Sequence, residues 1–311
     1  MSVDRHCARD LALPRYREEL LAAITRDVTT DPRVRAAFVG GSLGAGDVDL
    51  YSDIDLRIVV DAEDVDDLVA NKTVRPQRWG SVLFYEDWGP RVAHTVAHFE
   101  GFIKVDCFYY RVADLAPSLA LQSIRILHDP AGLVDVVHRR SQSLAYAPSV
   151  AEVERWRYKV LAYGHEVYRR CRRSELSYAR QMIIGLAGYA MAGWHMEAGR
   201  WPDLWADWAK AEGPRSVLSS WQQNLLRAWH PPWSGPAMLD LMATMEPELS
   251  ESATSRAPSR LDPTSDPDGG LLQAVAVRSA WLLDHPHLEC SASFLLIAVA
   301  LNSPWTSPIP A

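Results

Sequence analysis

The sequence predicts an α+β protein: an N-terminal domain built on a mixed sheet of about five strands flanked by helices, followed by an α-helical domain. Two observations carry this expectation. Between residues 34 and 111, short runs rich in Val, Ile, Phe and Tyr recur, with helical patterns before and between them. From about residue 150 the apolar period becomes that of long helices and stays so. Length agrees: 311 residues, 48% of them hydrophobic, suffice for one large or two ordinary domains with a sizeable core.

The elements follow in order. PRYREELLAAITRDV, 14–28, places Tyr16, Leu20, Ile24 and Val28 at fourfold spacing and reads as an amphipathic helix with Pro14 at its start. VRAAFVG, 34–40, reads as a strand running into Gly40 and Gly41, and IDLRIVV, 54–60, as a second strand. AEDVDDLVA, 62–70, is a short helix with acids in its first turn, where the helix dipole favours them. SVLFYED, RVAHTVAHFE and GFIKVDCFYYR, between 81 and 111, supply three more strands. The pattern changes at AYAPSVA, 145–151, which separates a first domain, 1–148, from a helical domain, 149–249. That domain opens with a helix over 152–173. A second helix starts with Ser174 as N-cap and stops at Gly199. WPDLWADWAKAEG and SSWQQNLLRAW add two shorter helices. Tyr178, Met182, Leu186, Tyr189 and Met191 read as packing, and the tryptophans of 201–208 as core between domains. Residues 250–311 form a linker and a poorly defined C-terminal segment: 250–270 is rich in Ser, Pro and Asp, and LLQAVAVRSAWLLD after it suits one helix.

Bulk chemistry narrows the function classes. The formal charge is −7, which disfavours a general nucleic-acid binder, since phosphate contacts need a basic face. Cys7, Cys107, Cys171 and Cys290 share no close spacing, so neither a zinc site nor a disulfide framework is expected. His94 and His98 lie on one strand face without further ligand spacing. The N-terminus lacks an apolar signal core, and no window is apolar enough to span a membrane, so a reducing cytoplasm is the expected setting.

The chemistry concentrates in GGSLGAGDVDLYSDIDLRIVV, 40–60. Gly40 and Gly41 follow a strand, where backbone without a Cβ can approach a ligand closely. Exposed N–H groups there, with the Ser42 hydroxyl, suit phosphate oxygens. Asp53 and Asp55 are two apart on a strand and so share one face, while Ile54 and Leu56 share the other. Like charges so close repel each other, and a hard cation such as Mg2+, which accepts carboxylates, water and substrate phosphates, would offset that repulsion. On GFIKVDCFYYR, Lys104, Asp106 and Phe108 share one face, and a charge inside an apolar β-run is a local inconsistency typical of functional sites. Glu86, Asp87 and Glu100, near strand ends, compete with Asp106 and read as loop acids.

Gly-Gly-Ser, ten residues, then Asp-Ile-Asp at the head of an apolar strand resembles the nucleotidyltransferase superfamily of the DNA polymerase beta type of fold. One departure is Ala45, where many relatives carry an arginine. The resemblance implies an N-terminal nucleotidyltransferase domain that uses two Mg2+ ions, with a nucleoside triphosphate as co-substrate. It also implies Asp53, Asp55 and Asp106 as catalytic metal ligands, Asp106 either holding the ion on the attacking side or taking the hydroxyl proton. Gly41 and Ser42 would hold the terminal phosphates. Seven basic residues fall between Arg155 and Arg173, and of these Lys159 is the one chosen to reach the triphosphate. Glu175 is a minor candidate for a substrate-binding acid.

A catalytic domain followed by a helical one resembles the antibiotic nucleotidyltransferases, which adenylylate aminoglycosides and, in some cases, lincosamides. The expected reaction is transfer of AMP from ATP to a hydroxyl of a small, cationic acceptor, an aminoglycoside-type antibiotic. Acids outnumber basic residues beyond residue 180, which suits such an acceptor. A lincosamide, another metabolite, a protein or RNA as acceptor stays open, as do a homodimer and, from another class, a non-catalytic nucleotide-binding regulatory module.

Overall fold

A computed structural model describes residues 6–202, 205 and 207–255. The chain divides into two compact units, a first spanning Met1–Ala145 and a second that begins at Tyr146.

In chain order the first unit contains α1 (Cys7–Thr30), β1 (Val34–Val39), α2 (Gly41–Ala45), β2 (Ile54–Val60), α3 (Val65–Ala70), β3 (Val82–Asp87), β4 (His94–Phe99), β5 (Lys104–Arg111), β6 (Arg125–His128) and α4 (Leu133–Ser141). The strands form one sheet in the order β3-β4-β5-β2-β1-β6. β2 and β5 run parallel and the other neighbours antiparallel, so the sheet is mixed and the fold is α+β, as the sequence predicts. The sixth strand was not expected: β6 has four residues, too few for a period to show, and exists through its pairing with β1.

α1 begins at Cys7, seven residues before the expected start, so Pro14 lies inside the helix. Leu13, Leu20, Leu21, Ile24 and Val28 of α1 are buried, and this stripe against the sheet outweighs the missing proline hydrogen bond. An ion-pair knot fixes the far end of α1. Arg75, only 5% exposed, lies 2.6 Å from Asp27 and 3.1 Å from Asp31, and the Trp79 indole donates to Asp27.

The two sheet faces differ. One carries Ile54, Leu56, Ile58 and Val60 of β2 with Val105, Cys107 and Tyr109 of β5, all in the main core with α1. On the other, a smaller core of Ala36, Phe38, Val59 and Val134 of α4 reaches only the C-terminal half of β2. The N-terminal ends of β2 and β5 lie beyond that second core, on the same face.

The second unit contains α5 (Val150–Arg172), α6 (Leu176–Glu197), α7 (Ser220–Ala228) and α8 (Gly235–Ser255). Trp156, Val160, Ile183, Leu186, Met238, Met242 and Met245 form its core, and the buried Trp156 indole donates to the Tyr189 carbonyl at 2.8 Å. Gly185 lets α5 approach α6, since a Cβ there would lie 2.4 Å from Tyr163. Gly199 takes φ 64° beyond α6, the stop expected of it. Ser174 does not cap α6. It sits between the helices at φ 59°, and Glu175 takes the cap position. Among the described residues of 201–213 there is no helix. Trp205 packs on this unit's core, whereas Trp201 and Trp208 are exposed. α8 was not expected; Met238, Met242, Met245 and Leu249 keep one buried stripe across its internal Pro247. The helix continues to Ser255, so the first residues of the stretch read as a linker are helical. The rest of that stretch and the helix expected over 271–284 lie outside the described residues. No helix among the described residues is long and apolar enough to cross a membrane.

Candidate active site

The glycine turn and the Asp-Ile-Asp strand meet because β1 and β2 are antiparallel neighbours, with Val39 opposite Leu56. The Gly40 N–H donates to the Asp55 carbonyl at 2.9 Å, which holds the turn against the strand. Gly41 follows at φ 55° and lies on the Asp55 carboxylate: a Cβ there would come within 1.9 Å of Asp55 Oδ2. Only glycine satisfies both the backbone angle and that approach. Gly41 opens the single-turn helix α2, and Ser42, buried in it, accepts the Asp47 N–H on its carbonyl. The loop into β2 is fixed from below by the buried Arg17 of α1, which donates to the Ser52 carbonyl at 3.0 Å. The Ser52 hydroxyl in turn bonds with the Asp49 N–H and carboxylate.

Asp55 and Asp106 are register partners across the parallel β2–β5 pair. With Ile54, Leu56, Val105 and Cys107 on the core face, Asp53, Asp55, Lys104 and Asp106 fall on the opposite one. The trio predicted from sequence is therefore gathered on one side of the sheet. Lys104 joins it: its ammonium lies 2.8 Å from Asp53 Oδ2 and 2.8 Å from Asp106 Oδ2. Burial alone would lower the Lys104 pKa, but the hydrogen bonds to Asp106 and Asp53 outweigh it and hold the group well above its ordinary value. Burial, then the neighbouring charge of Asp53, raises the Asp55 pKa, while the Arg57 guanidinium opposes both. Arg57 Nη1 stands 3.6 Å from Asp55 Oδ1, an ion pair without a hydrogen bond.

The competing acids are engaged elsewhere or exposed. Glu86 bonds to His98 at 2.8 Å, Asp87 pairs with Lys72 at 2.8 Å, and Glu100 is exposed. Glu175 forms an ion pair with Arg170, whose hydrogen bond lowers its pKa. Lys159 belongs to the second unit, where it is exposed on α5.

Beyond the carboxylates the same face carries aromatic rings. Trp88 stacks on His94, His94 on Phe108 at 3.9 Å between centroids, and the Arg57 guanidinium lies 4.4 Å from the Phe108 centroid. Burial lowers the His94 pKa, which favours the neutral ring in the stack. On the other side of Lys104 a cavity of about 390 Å3 opens, lined by Tyr51, Asp53, Phe84, His98, Phe102 and Lys104 among others, most of it apolar. The sequence reading did not find this cavity, Arg17 or the bridging role of Lys104. Period-two alternation does put Lys104 beside Asp106, but its reach to Asp53 depends on which strands are neighbours.

The donor set can be tested for divalent ions. Its side chains offer carboxylate oxygens, the hard donors Mg2+ takes. Asp106 Oδ1 is buried without a hydrogen-bond partner, and the turn at Gly41 leaves no Cβ over Asp55. These features fit a cation at the carboxylates. Yet among the described residues no group of three His, Cys, Asp or Glu side chains is disposed to close on one metal ion, and the cation lodged between Asp53 and Asp106 is Lys104.

No family model and no curated protein matches the chain. Among solved structures it is similar to an aminoglycoside 6-adenyltransferase from Bacillus subtilis, at 10% identity and a TM-score of 0.35, over 85% of this chain and 97% of that one. It is also similar to a nucleotidyltransferase-like protein from Exiguobacterium sibiricum, at 11% identity and a TM-score of 0.39, over 89% of this chain and 90% of that one. Likenesses of this degree leave the functional reading to rest on the site itself.

Proposed function

We propose that the chain is a nucleotidyltransferase that moves a nucleoside monophosphate, AMP from ATP, onto a hydroxyl of a small molecule. The observation that carries this reading is the meeting of Asp53, Asp55 and Asp106 on one sheet face beside a glycine turn that tolerates no side chain. Three carboxylates on adjacent parallel strands suit in-line phosphoryl transfer, where catalysis is mostly positioning and charge stabilisation.

Divalent ions, when bound, supply positive charge to the phosphate oxygens and to the attacking and leaving oxygens. Asp53 and Asp55, side by side at the head of β2, would hold them. The backbone at Gly41 and the Ser42 hydroxyl would receive the terminal phosphates. Asp106 suits the general base: Lys104 engages Oδ2, while Oδ1 has no donor and stays available for the proton of the acceptor hydroxyl. The hydroxyl oxygen then bonds the α-phosphorus, the bond to the β-phosphate oxygen breaks, and pyrophosphate leaves.

For the acceptor, the acid surplus beyond residue 180 supports a cationic, aminoglycoside-type antibiotic. One observation favours a second reading. The cavity beside Asp53 and Lys104 is mostly apolar and lined by aromatic rings, which suits an acceptor with an apolar body, of the lincosamide kind, better than a polycation.

The test is incubation with Mg2+, each labelled nucleoside triphosphate and a panel of aminoglycosides, lincosamides, tRNA and lysate protein. Acceptor-dependent pyrophosphate release is expected with one of the small molecules. Asp53→Asn should cut transfer at least about a hundredfold while its melting curve stays close to that of the parent. Transfer that survives this change, or none with any acceptor, defeats the reading.

A further inference from the structure

We propose that the Lys104 ammonium is a built-in cation that replaces the metal ion on the attacking side, so that the site takes up one divalent ion, on Asp53 and Asp55, rather than two. This rests on the nucleotidyl-transfer reading.

A second ion on the attacking side would need Asp106, and the Lys104 Nζ lies 2.8 Å from Asp106 and 2.8 Å from Asp53. An ammonium bridging two carboxylates at that distance stands where a shared cation would, and it offsets their repulsion without any metal. A Mg2+ ion bridging the same two oxygens would have to expel the ammonium, since the position between those oxygens takes one cation. Lys104 is anchored for this role. Its backbone lies in β5 opposite His98 of β4, and its side chain is only partly exposed. Asp55 remains for a metal, because Lys104 forms no ion pair with it and Arg57 approaches only to 3.6 Å. The arrangement also accounts for the absence, among the described residues, of three acidic or imidazole ligands closing on one point.

The difference is countable. Mn2+ is titrated into equimolar protein and α,β-methylene-ATP, whose α–β bridge cannot be cleaved, and bound metal is read from the spectrum of the free ion. The parent protein should saturate with one Mn2+ per complex, Lys104→Met with two, and Lys104→Arg, which keeps a cation, with one. In metal-free buffer Lys104→Met should melt lower than the parent and recover with Mn2+, because its carboxylates are left without a counter-charge. Saturation of the parent with two ions overturns the proposal and leaves nucleotidyl transfer standing, and this measurement does not depend on the variants folding. Unchanged stoichiometry in Lys104→Met also overturns it. If neither Mn2+ nor the analogue binds the parent, the nucleotidyl-transfer reading falls and this inference falls with it.

Discussion

At the scale of single residues, the site separates what a sequence period dictates from what only a sheet can supply. Alternation of side chains along a strand puts Asp53 with Asp55, and Lys104 with Asp106, whatever the fold around them. It does not say that β2 and β5 are parallel neighbours, or that Asp55 stands opposite Asp106, and those two facts bring Lys104 to Asp53. Gly41 is a case where the residue type was readable and its reason was not. The glycine pair suggested close approach to a ligand, whereas its nearest neighbour is the Asp55 carboxylate of the same chain. Gly41→Ala therefore carries two penalties. The positive φ costs stability, on the order of 1 kcal/mol, measurable by urea unfolding. The new methyl group must also push the Asp55 carboxylate aside. Transfer activity should fall by far more than the stability loss accounts for, and a variant with near-parental activity would mean that the Asp55 position is not critical.

At the scale of elements, legibility followed length and polarity. The strands β1 to β5 and the long helices α5 and α6 are readable because each presents several turns or alternations of one pattern. β6 and α4 escape it, the first through brevity, the second because its burial is nearly confined to Val134 and Ser141. Pro14 reads as a start but lies inside α1, and there, as in α8 with its internal Pro247, a continuous buried stripe prevails. α6 permits a test by pH. His195, half-buried near its end, accepts a hydrogen bond from Arg200 at 3.2 Å. Burial, then the Arg200 charge, lowers its pKa below the usual histidine value. A depressed folded pKa means stability that is present above the unfolded value, about 6.5, and lost as pH falls through the folded one. The stability difference between the parent and His195→Gln should therefore shrink as the buffer is taken from pH 8 to pH 5, with the parent losing more. A difference that stays constant over that range would show that the ring is not held neutral by its surroundings.

At the scale of the whole molecule, charge decides between acceptors that local geometry leaves open. The chain has 32 Lys and Arg against 39 Asp and Glu. Its densest basic run, on α5, is partly neutralised within the helix: Glu166 pairs with Arg169 at 2.8 Å and with Arg170 at 2.9 Å, and Arg170 also holds Glu175. What reads in the sequence as a seven-residue basic stripe is thus a mixed surface, a distinction only the side-chain partners reveal. A polyanion gains affinity by releasing counterions at each phosphate met by a basic residue, so binding to RNA should be weak and should rise little when salt is lowered. In a filter assay with tRNA at about 50 mM salt, little retention is expected, and tRNA should not compete with a small acceptor for transfer. Tight retention that collapses with a steep salt slope would point to several phosphate contacts and move the acceptor from small hydroxyl compounds to nucleic acid. On the proposed reading, that outcome would leave the carboxylates of β2 and β5 in their role toward the triphosphate and would change only what is brought to them.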